Sequence, residues 1–297
     1  MIYTVTFNPA IDYVMRLPTV AVGETNRAAE TSLQFGGKGI NVSLVLRELG
    51  AETTALGFVA GFTGEALAAH LTARGIPADF IALPYGLTRI NVKVKADGTE
   101  TELNAPGPEI PADCLNALLS RLDRLKEGDA LVLAGSIPPS LPRDIYARIA
   151  ERLAGRGVRL AVDAEGEVLT AVLPFSPFLI KPNRAELEGL AGRPLLCEDD
   201  LKEAASALRQ AGAVNVLVSL GGEGALLLDE FGVFHRAPAA DIRPVNTVGA
   251  GDSMVAGFVA GLARGYDDAL TLGIAAGGAT AASEGFADRE GILNLMK

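Results

Sequence analysis

A lone carboxylate, Asp252, follows three small residues in the segment NTVGAGDSMVAGF, which spans residues 246–258. Gly249, Ala250 and Gly251 would let a ligand approach the backbone closely, and the apolar spacing after Asp252 predicts a helix. The unpaired N–H groups and the positive dipole end at the start of such a helix favour an anion. Asp252 would then lie beside that anion, where it could accept a proton from an attacking hydroxyl. The alternative is that Asp252 caps the helix, and this segment alone does not separate the two.

A second pair of polar side chains follows the strand-like residues FLI in the segment KPNRAELEGLAG. Asn183 and Glu186 are three residues apart, so at the start of a helix they would share a face. Their oxygen atoms could bind Mg²⁺, directly or through water. The same Asn-x-x-Glu spacing also forms a capping box for purely structural reasons, and this segment alone favours that interpretation.

Two further segments are rich in glycine. In FGGKGIN, Lys38 and Asn41 supply donors suited to phosphate or sugar hydroxyls. Three glycines in four residues at a helix start cost conformational entropy without a packing benefit, which favours a function. In SLGGEGALLL, Gly221, Gly222 and Gly224 lie between two strand-like runs, and by themselves they indicate a hairpin turn.

Composition and missing motifs narrow the possible functions. The chain has 297 residues and a formal net charge of −10, which argues against a nucleic-acid partner. It has no Walker A sequence, and His70 and His235 are too isolated to support zinc or Ser-His-Asp chemistry. The start, MIYTVTFNPAID, does not resemble a signal peptide, and no segment resembles a spanning helix. We therefore expect a cytoplasmic protein with no membrane partner.

The elements that position these residues change in character along the chain. From about residue 111 onward, strand-like segments such as ALVLAG, VRLAVD and VNVLVSLGG alternate with helical patterns. This alternation predicts a parallel sheet covered by helices on both faces, with its chemistry in the loops that follow the strands. Shorter and more polar strands lie in residues 11–35 and roughly 78–105. We expect these to form a small sheet that acts as a lid on a single domain, residues 1–297.

Taken together and in this order, GGKGIN, KPNRAE and NTVGAGD resemble the ribokinase-like family of sugar kinases, also called the PfkB family. The resemblance runs through almost the whole chain. It implies a ribokinase-like three-layer α/β core with a mainly parallel sheet and a β lid, and phosphoryl transfer from ATP with Mg²⁺ to a sugar hydroxyl. It also implies that Asp252 is the catalytic base and that the backbone of Gly249, Ala250 and Gly251 forms the anion hole.

The resemblance assigns binding residues as well. On the nucleotide side they are Lys181, Asn183, Ser219, Gly221, Gly222, Glu223 and Gly224, with Asn183 and Glu186 directed to Mg²⁺ and phosphate. On the sugar side they are Asp12, Gly37 and Asn41. Asn246 stands where the family often has an acid, which fits a phosphosugar branch better than ribokinase proper.

The segments TFNPAIDYV, NRA, TRINVKV and AGSIPPS are closest to the branch that acts on phosphorylated ketohexoses. This implies phosphorylation of D-fructose 1-phosphate at its 6-hydroxyl, to give fructose 1,6-bisphosphate. An acceptor that already carries a phosphate needs cations away from the transfer site, which Arg27, Lys38 and Arg89 could supply, and Asn91 and Ser136 could add neutral hydrogen bonds.

Three alternatives stay open at this point. Tagatose 6-phosphate and fructose 6-phosphate share the phosphoketohexose scaffold, so either could be the acceptor. A non-catalytic sensor of sugar phosphate or nucleotide could use the same fold, although a sensor has no need of a base at Asp252. An exposed, partly apolar lid would also favour a homodimer that pairs through the lid.

Overall fold

The strands form two separate sheets within residues 1–296, the part of the chain that the computed structural model describes. In chain order the strands are β1 Ile2–Thr6, β2 Ala10–Arg16, β3 Glu30–Gly36, β4 Thr53–Val59, β5 Ala78–Ala82, β6 Arg89–Ala96, β7 Thr99–Leu103, β8 Ala130–Ala134, β9 Arg159–Asp163, β10 Leu179–Ile180, β11 Asn215–Ser219, β12 Ala225–Leu228 and β13 Phe234–Ala237. The large sheet has the order β13-β12-β11-β10-β9-β8-β1-β4-β5, and the small sheet has the order β3-β2-β6-β7. The large sheet is parallel except at one edge, where β12 and β13 pair antiparallel.

Helices cover both faces of the large sheet. They are α1 Lys38–Glu48, α2 Gly61–Ala73, α3 Ala112–Leu122, α4 Ile145–Leu153, α5 Gly166–Val172, α6 Arg184–Ala191, α7 Glu198–Gln210, α8 Ala250–Gly261, α9 Tyr266–Ala281 and α10 Arg289–Asn294. Successive side chains of β8 point to opposite faces, so Leu131 and Leu133 pack with α3 to α7, whereas Val132 packs with α1, α8 and α9. The predicted three-layer α/β core with a mainly parallel sheet is confirmed. Among residues 1–296, no helix is both long and apolar enough to cross a membrane.

The small sheet has one polar face and one apolar face, because successive side chains of a strand point in opposite directions. The polar face carries Asp12, Arg89, Asn91, Lys93 and Glu102, and the apolar face carries Tyr13, Leu33, Ile90, Val92 and Leu103. The polar face looks onto the carboxyl edge of the large sheet. The small sheet therefore lies where the chemistry of a parallel sheet is expected.

The prediction of the small sheet is wrong at one strand. β5 falls in the predicted lid range 78–105, but it pairs in parallel with β4 at the edge of the large sheet. Ile81 is 7% exposed and packs in the core, and α2 is the crossover between β4 and β5. β5 resembled a lid strand because the other side chains of this edge strand are exposed or half-buried. The small sheet consists of residues 10–36 and 89–103 instead.

Candidate active site

Asp252 lies in the first turn of α8, where the carboxyl edge of the large sheet faces the small sheet. The helix begins after Gly249, whose φ is 80°, and a Cβ at this position would lie 2.4 Å from the ring of Phe286. No side chain caps α8, so the capping interpretation of Asp252 is wrong. Asp252 is 5% exposed, and it accepts a hydrogen bond from Asn41 Nδ2 at 2.8 Å. The amide of Ala250 donates to the carbonyl of Thr247 at 3.3 Å, whereas the amides of Gly251 and Asp252 are left for a ligand, as an anion site requires.

The surroundings of Asp252 favour its neutral form. Burial raises the pKa of Asp252 to about 7, and the negative charge of Asp163 acts in the same direction. The hydrogen bond from Asn41 and the charges of Lys38 and Lys181 oppose this rise. An exposed aspartate has a pKa of about 4, so burial makes Asp252 a stronger base that still ionises near neutral pH.

Asp163 is a site residue that sequence reasoning missed. It is the last residue of β9, is 3% exposed and lines the same cavity as Asp252. Its Oδ2 lies 3.5 Å from Lys38 Nζ, and its Oδ1 lies 3.3 Å from Lys181 Nζ. One carboxylate therefore holds two of the predicted binding lysines. The available signal was an acid at the carboxyl end of an apolar strand, in VRLAVD.

A cavity of about 770 Å³ between the two sheets collects most of the predicted site residues. Those that line it are Asp12, Gly37, Lys38, Asn41, Arg89, Asn91, Ser136, Lys181, Asn183, Glu186, Ser219, Gly249, Gly251 and Asp252. They come from loops after several strands of the large sheet and from the polar face of the small sheet. The fold thus assembles one site from segments that are far apart in the sequence.

On the small-sheet wall of the cavity, Asp12 is held by two neighbours from β6. Asn91 Nδ2 donates to Asp12 Oδ1 at 2.8 Å, and Lys93 Nζ lies 3.2 Å from Asp12 Oδ2. Lys93, which sequence reasoning also missed, is 6% exposed and lies 3.3 Å from Glu102. Burial alone would lower the pKa of Lys93, but the two carboxylates raise it above its usual value. Lys93 is therefore charged, and its charge is compensated within the sheet.

Among residues 1–296, three buried side-chain atoms have no hydrogen-bond partner: Asn8 Oδ1, Asn41 Oδ1 and Arg89 Nε. All three residues line the cavity. Buried polar groups in proteins are nearly always hydrogen-bonded, so the unpaired atoms of Asn41 and Arg89 indicate where a polar ligand belongs, whereas Asn8 Oδ1 lies against Gly107. Arg89 makes one backbone bond, from Nη1 to the carbonyl of Ala105 at 3.2 Å, which leaves most of its donors available.

Asn183 and Glu186 form the capping box at the start of α6. Asn183 Oδ1 accepts from Glu186 N, and Glu186 Oε2 accepts from Asn183 N, both at 2.9 Å. The structural interpretation of this spacing is therefore realised, although both side chains also line the cavity. Within residues 1–296, no group of three or more His, Cys, Asp or Glu side chains could hold a metal ion. Mg²⁺ often keeps several waters and binds through one carboxylate plus substrate phosphates, and the residues present fit that mode rather than a protein cage.

Six predicted residues do not line the cavity. They are Arg27, Ala250, Gly221, Gly222, Glu223 and Gly224. Residues 221–224 form the turn of the β11–β12 hairpin that the spacing predicted, and Glu223 lies 2.7 Å from Arg184. Arg27 is exposed on the loop between β2 and β3, where Asn26 Nδ2 donates to the carbonyls of Ala21 and Glu24. A single chain therefore does not bring Arg27 to the site.

Asn246 shapes the turn that precedes α8. Its Oδ1 accepts from the amide of Val248 at 3.0 Å, and its Nδ2 donates to the carbonyl of Glu284 at 3.4 Å. An aspartate at this position could accept the first bond but could not donate the second. The carboxamide thus connects the turn to the loop that follows α9.

The chain matches known proteins over nearly its whole length. A family model described as pfkB family carbohydrate kinase matches residues 5–290. A 1-phosphofructokinase of Bacillus subtilis is 42% identical, over 100% of this chain and 97% of that protein. A D-tagatose-1-phosphate kinase of Bacillus licheniformis is 35% identical, over 97% of this chain and 95% of that protein. The crystal structure of a putative phosphofructokinase from Staphylococcus aureus matches with a TM-score of 0.89 at 44% identity, over 100% of this chain and 96% of that chain.

Proposed function

The chain belongs to the pfkB family of carbohydrate kinases, and we propose that it transfers the γ-phosphoryl group of ATP to the 6-hydroxyl of D-fructose 1-phosphate. The products are fructose 1,6-bisphosphate and ADP. As a family member the chain is a phosphotransferase with an alcohol group as acceptor. The observation that carries the proposal is the pairing of a buried carboxylate, Asp252, with an underused cation, Arg89, in one cavity.

Asp252 is suited to act as the general base. The 6-hydroxyl oxygen attacks the γ-phosphorus, the bond from that phosphorus to the leaving oxygen of ADP breaks, and the hydroxyl proton passes to a carboxylate oxygen of Asp252. A pKa of about 7 matches the operating pH of such a base. The amides of Gly251 and Asp252 at the start of α8 would stabilise the negative charge on the transferred group, while that of Ala250 is engaged with the carbonyl of Thr247.

The core wall of the cavity would hold ATP. Lys181 reaches the cavity from the residue after β10, and Ser219 lies at the end of β11. Glu186, five residues after Lys181, could hold Mg²⁺ through water, because one of its carboxylate oxygens takes no part in the capping box. When bound, Mg²⁺ supplies positive charge to the phosphates of ATP.

The small-sheet wall would hold the phosphosugar. Arg89 suits the phosphate already on the acceptor, because a guanidinium binds phosphate through several donors and Arg89 Nε has no partner. Lys93 is a weaker candidate, since Asp12 and Glu102 already compensate its charge. Asp12 and Asn91 lie beside Arg89 on the same face and would bind sugar hydroxyls.

The apolar face of the small sheet would bind a second copy of the chain. Leu33, Ile90 and Leu103 on this face are 55%, 41% and 60% exposed. Within residues 1–296 these three side chains are left exposed, although Ile11 on the same face is buried. A flat apolar face can pair with its own copy about a twofold axis, which makes a homodimer the simplest way to bury it. We infer that such a dimer works in the cytoplasm, where ATP and sugar phosphates are found.

The experiment that tests the proposal is a panel of acceptors. ADP release is measured with fructose 1-phosphate, tagatose 1-phosphate, tagatose 6-phosphate, fructose 6-phosphate and unphosphorylated sugars, and without any acceptor. We expect the highest kcat/KM with fructose 1-phosphate. A higher value with another phosphoketohexose would reassign the acceptor within the family. Absence of ADP release with every acceptor would favour a non-catalytic sensor.

A further inference from the structure

Within residues 1–296, the chain passes between the large sheet and the small sheet four times. The crossings are residues 7–9, residue 37, residues 83–88 and residues 104–111. Any movement of the small sheet over the cavity must bend these segments. The first crossing leads from β1 into β2, which carries Asp12, and the fourth leads from β7 to α3.

Asn8 in the first crossing is tied to the fourth. Its Nδ2 donates to the carbonyl of Pro106 at 3.0 Å, and its Oδ1 lies against Gly107, where a Cβ would approach to 2.2 Å. Gly107 has a φ of 91°, so both the space and the backbone exclude a side chain there. Asn8 is 8% exposed and lines the cavity.

The fourth crossing is tied in turn to two residues of the phosphosugar wall. The amide of Ala105 donates to Asn91 Oδ1 at 3.2 Å, and the carbonyl of Ala105 accepts from Arg89 Nη1 at the same distance. Ala105 is the neighbour of Pro106, which Asn8 holds. Hydrogen bonds at both ends of the Ala105–Pro106 dipeptide therefore connect Asn8, through the fourth crossing, to Asn91 and Arg89.

We propose that Asn8 is a positioning residue for acceptor binding. By joining the first and fourth crossings, its carboxamide sets the distance of Asp12 and Arg89 from the large sheet to the value at which the phosphosugar binds. The proposal rests on the proposed kinase function. It assigns Asn8 no contact with ATP, because the nucleotide wall belongs to the core and contains neither crossing. Because Asn8 Oδ1 has no hydrogen-bond partner, the link between the two crossings depends on Nδ2 alone.

The first test is kinetic and uses Asn8→Ala. We expect KM for the phosphosugar to rise on the order of tenfold, which corresponds to the net value of one buried hydrogen bond. KM for ATP should stay within about twofold of wild type, and acceptor-independent ATP hydrolysis should rise as a fraction of turnover. An unchanged phosphosugar KM, or an equal rise in both KM values, would overturn the proposal.

The second test measures hydrogen exchange without any ligand. Amides of β2, β6, Asn104, Ala105 and Gly107 should exchange on the order of tenfold faster in Asn8→Ala than in wild type, while amides of α8 keep their rate. A raised phosphosugar KM with unchanged exchange would mean that Asn8 touches the sugar directly, and the positioning role would be wrong. Because the exchange experiment needs no substrate, it tests the positioning role of Asn8 even if the panel of acceptors identifies a different reaction.

A matched control is available in the core. Asn215 is also a buried asparagine, and its side chain makes two hydrogen bonds, with the carbonyl of Phe178 at 2.8 Å and the amide of Glu230 at 2.9 Å. Asn215→Ala should lower Tm and leave both the phosphosugar KM and the exchange of the small sheet at wild-type values. If Asn8→Ala does not fold, Asn8→Ser, whose hydroxyl is too short to reach Pro106, gives the same test. A change in phosphosugar KM of equal size in the Asn215 variant would reduce the effect of Asn8 to general destabilisation and overturn the proposal.

Discussion

At the scale of single residues, the pKa of Asp252 is the property on which turnover depends most directly. Because burial raises this pKa to about 7, the ionised base is lost as the pH falls through neutrality. We expect kcat/KM for the phosphosugar to level off above about pH 7 and to fall about tenfold per pH unit well below it, since this parameter reports the free enzyme. A profile from pH 5 to pH 9 checks this. A plateau that extends to pH 5 would mean that the base has an ordinary pKa.

Replacing Asp163 should shift the pH profile of kcat/KM for the phosphosugar. Its negative charge raises the pKa of Asp252, so Asp163→Asn should shift the acid limb of kcat/KM to lower pH and also weaken the hold on Lys38 and Lys181. Asp229→Asn is a suitable control, because Asp229 is 2% exposed and paired with His235, outside the cavity. An acid limb at the same pH in wild type and Asp163→Asn would show that Asp163 does not act on the base.

Asp252→Asn should separate activity from stability. Loss of the proton acceptor should lower kcat by about 10² to 10⁴. The pKa of Asp252 is raised from 3.8 in the unfolded chain to about 7 in the folded one. Wild type therefore loses stability as the pH rises between these values, and the neutral variant does not. Differential scanning fluorimetry should give the variant the higher Tm at pH 8, with a difference that shrinks toward pH 5. A lower Tm at pH 8 would contradict the buried-charge account.

A site residue could be predicted from the sequence when its neighbours in the chain indicate its chemistry. Asp252 and Lys38 stand in glycine-rich segments at helix starts, so their neighbours in sequence indicate their chemistry. Asp163 and Lys93 have no such context, because their partners come from other elements of the fold. For Arg27 the charge suits a phosphosugar, but the residue does not line the cavity of a single chain, so its assignment stays a prediction.

At the scale of elements, His235 joins the edge of the large sheet to α9. Its Nε2 lies 2.9 Å from Asp229 Oδ2, and its Nδ1 lies 2.7 Å from Asp267 Oδ1 in the first turn of α9. Burial alone would lower the pKa of His235, but its bonds to the two carboxylates raise it above its usual value. The charged pair with Asp229 should matter more, because Asp229 is buried whereas Asp267 is 86% exposed and screened by water.

The interactions of His235 with Asp229 and Asp267 predict that the stability of the fold depends on pH. A raised folded-state pKa means that the stabilisation is fully present below about pH 6.5, the ordinary value for histidine, and is lost as the pH rises through the folded-state pKa. The difference in Tm between wild type and His235→Gln should therefore be larger at pH 6 than at pH 9. Equal differences at both values would mean that the interaction does not depend on the charge of the imidazole. Turnover at saturating substrate should be unaffected, since His235 does not line the cavity.

The alternation of helices and strands predicted the large sheet because each βαβ unit carries its signal within one short stretch of chain. The small sheet was harder to delimit, as β5 shows. An edge strand of the large sheet and a strand of the lid both alternate exposed and buried side chains, so the pattern does not separate them. What decides the position of β5 is the parallel pairing with β4 across α2, which is not visible in β5 alone.

At the scale of the whole molecule, the two faces of the small sheet have different roles. Its polar face closes one side of the cavity, and Leu33, Ile90 and Leu103 on its apolar face are left exposed within residues 1–296. If the apolar faces of two chains pair, each active site gains a rigid lid from the dimer. Loss of pairing should therefore affect phosphosugar binding more than ATP binding, because ATP would lie on the core wall.

Leu33→Glu tests this directly. Leu33 lies on the apolar face opposite Tyr13, and a buried unpaired carboxylate there would cost the dimer several kcal/mol. We expect sedimentation velocity to show a dimer for wild type and a monomer for the variant, with a higher KM for the phosphosugar and little change in KM for ATP. Ser32→Glu is the matched control, because Ser32 is the preceding residue on the opposite face of β3. A monomeric wild type, or a dimer that survives Leu33→Glu, would show that the apolar face does not join two chains.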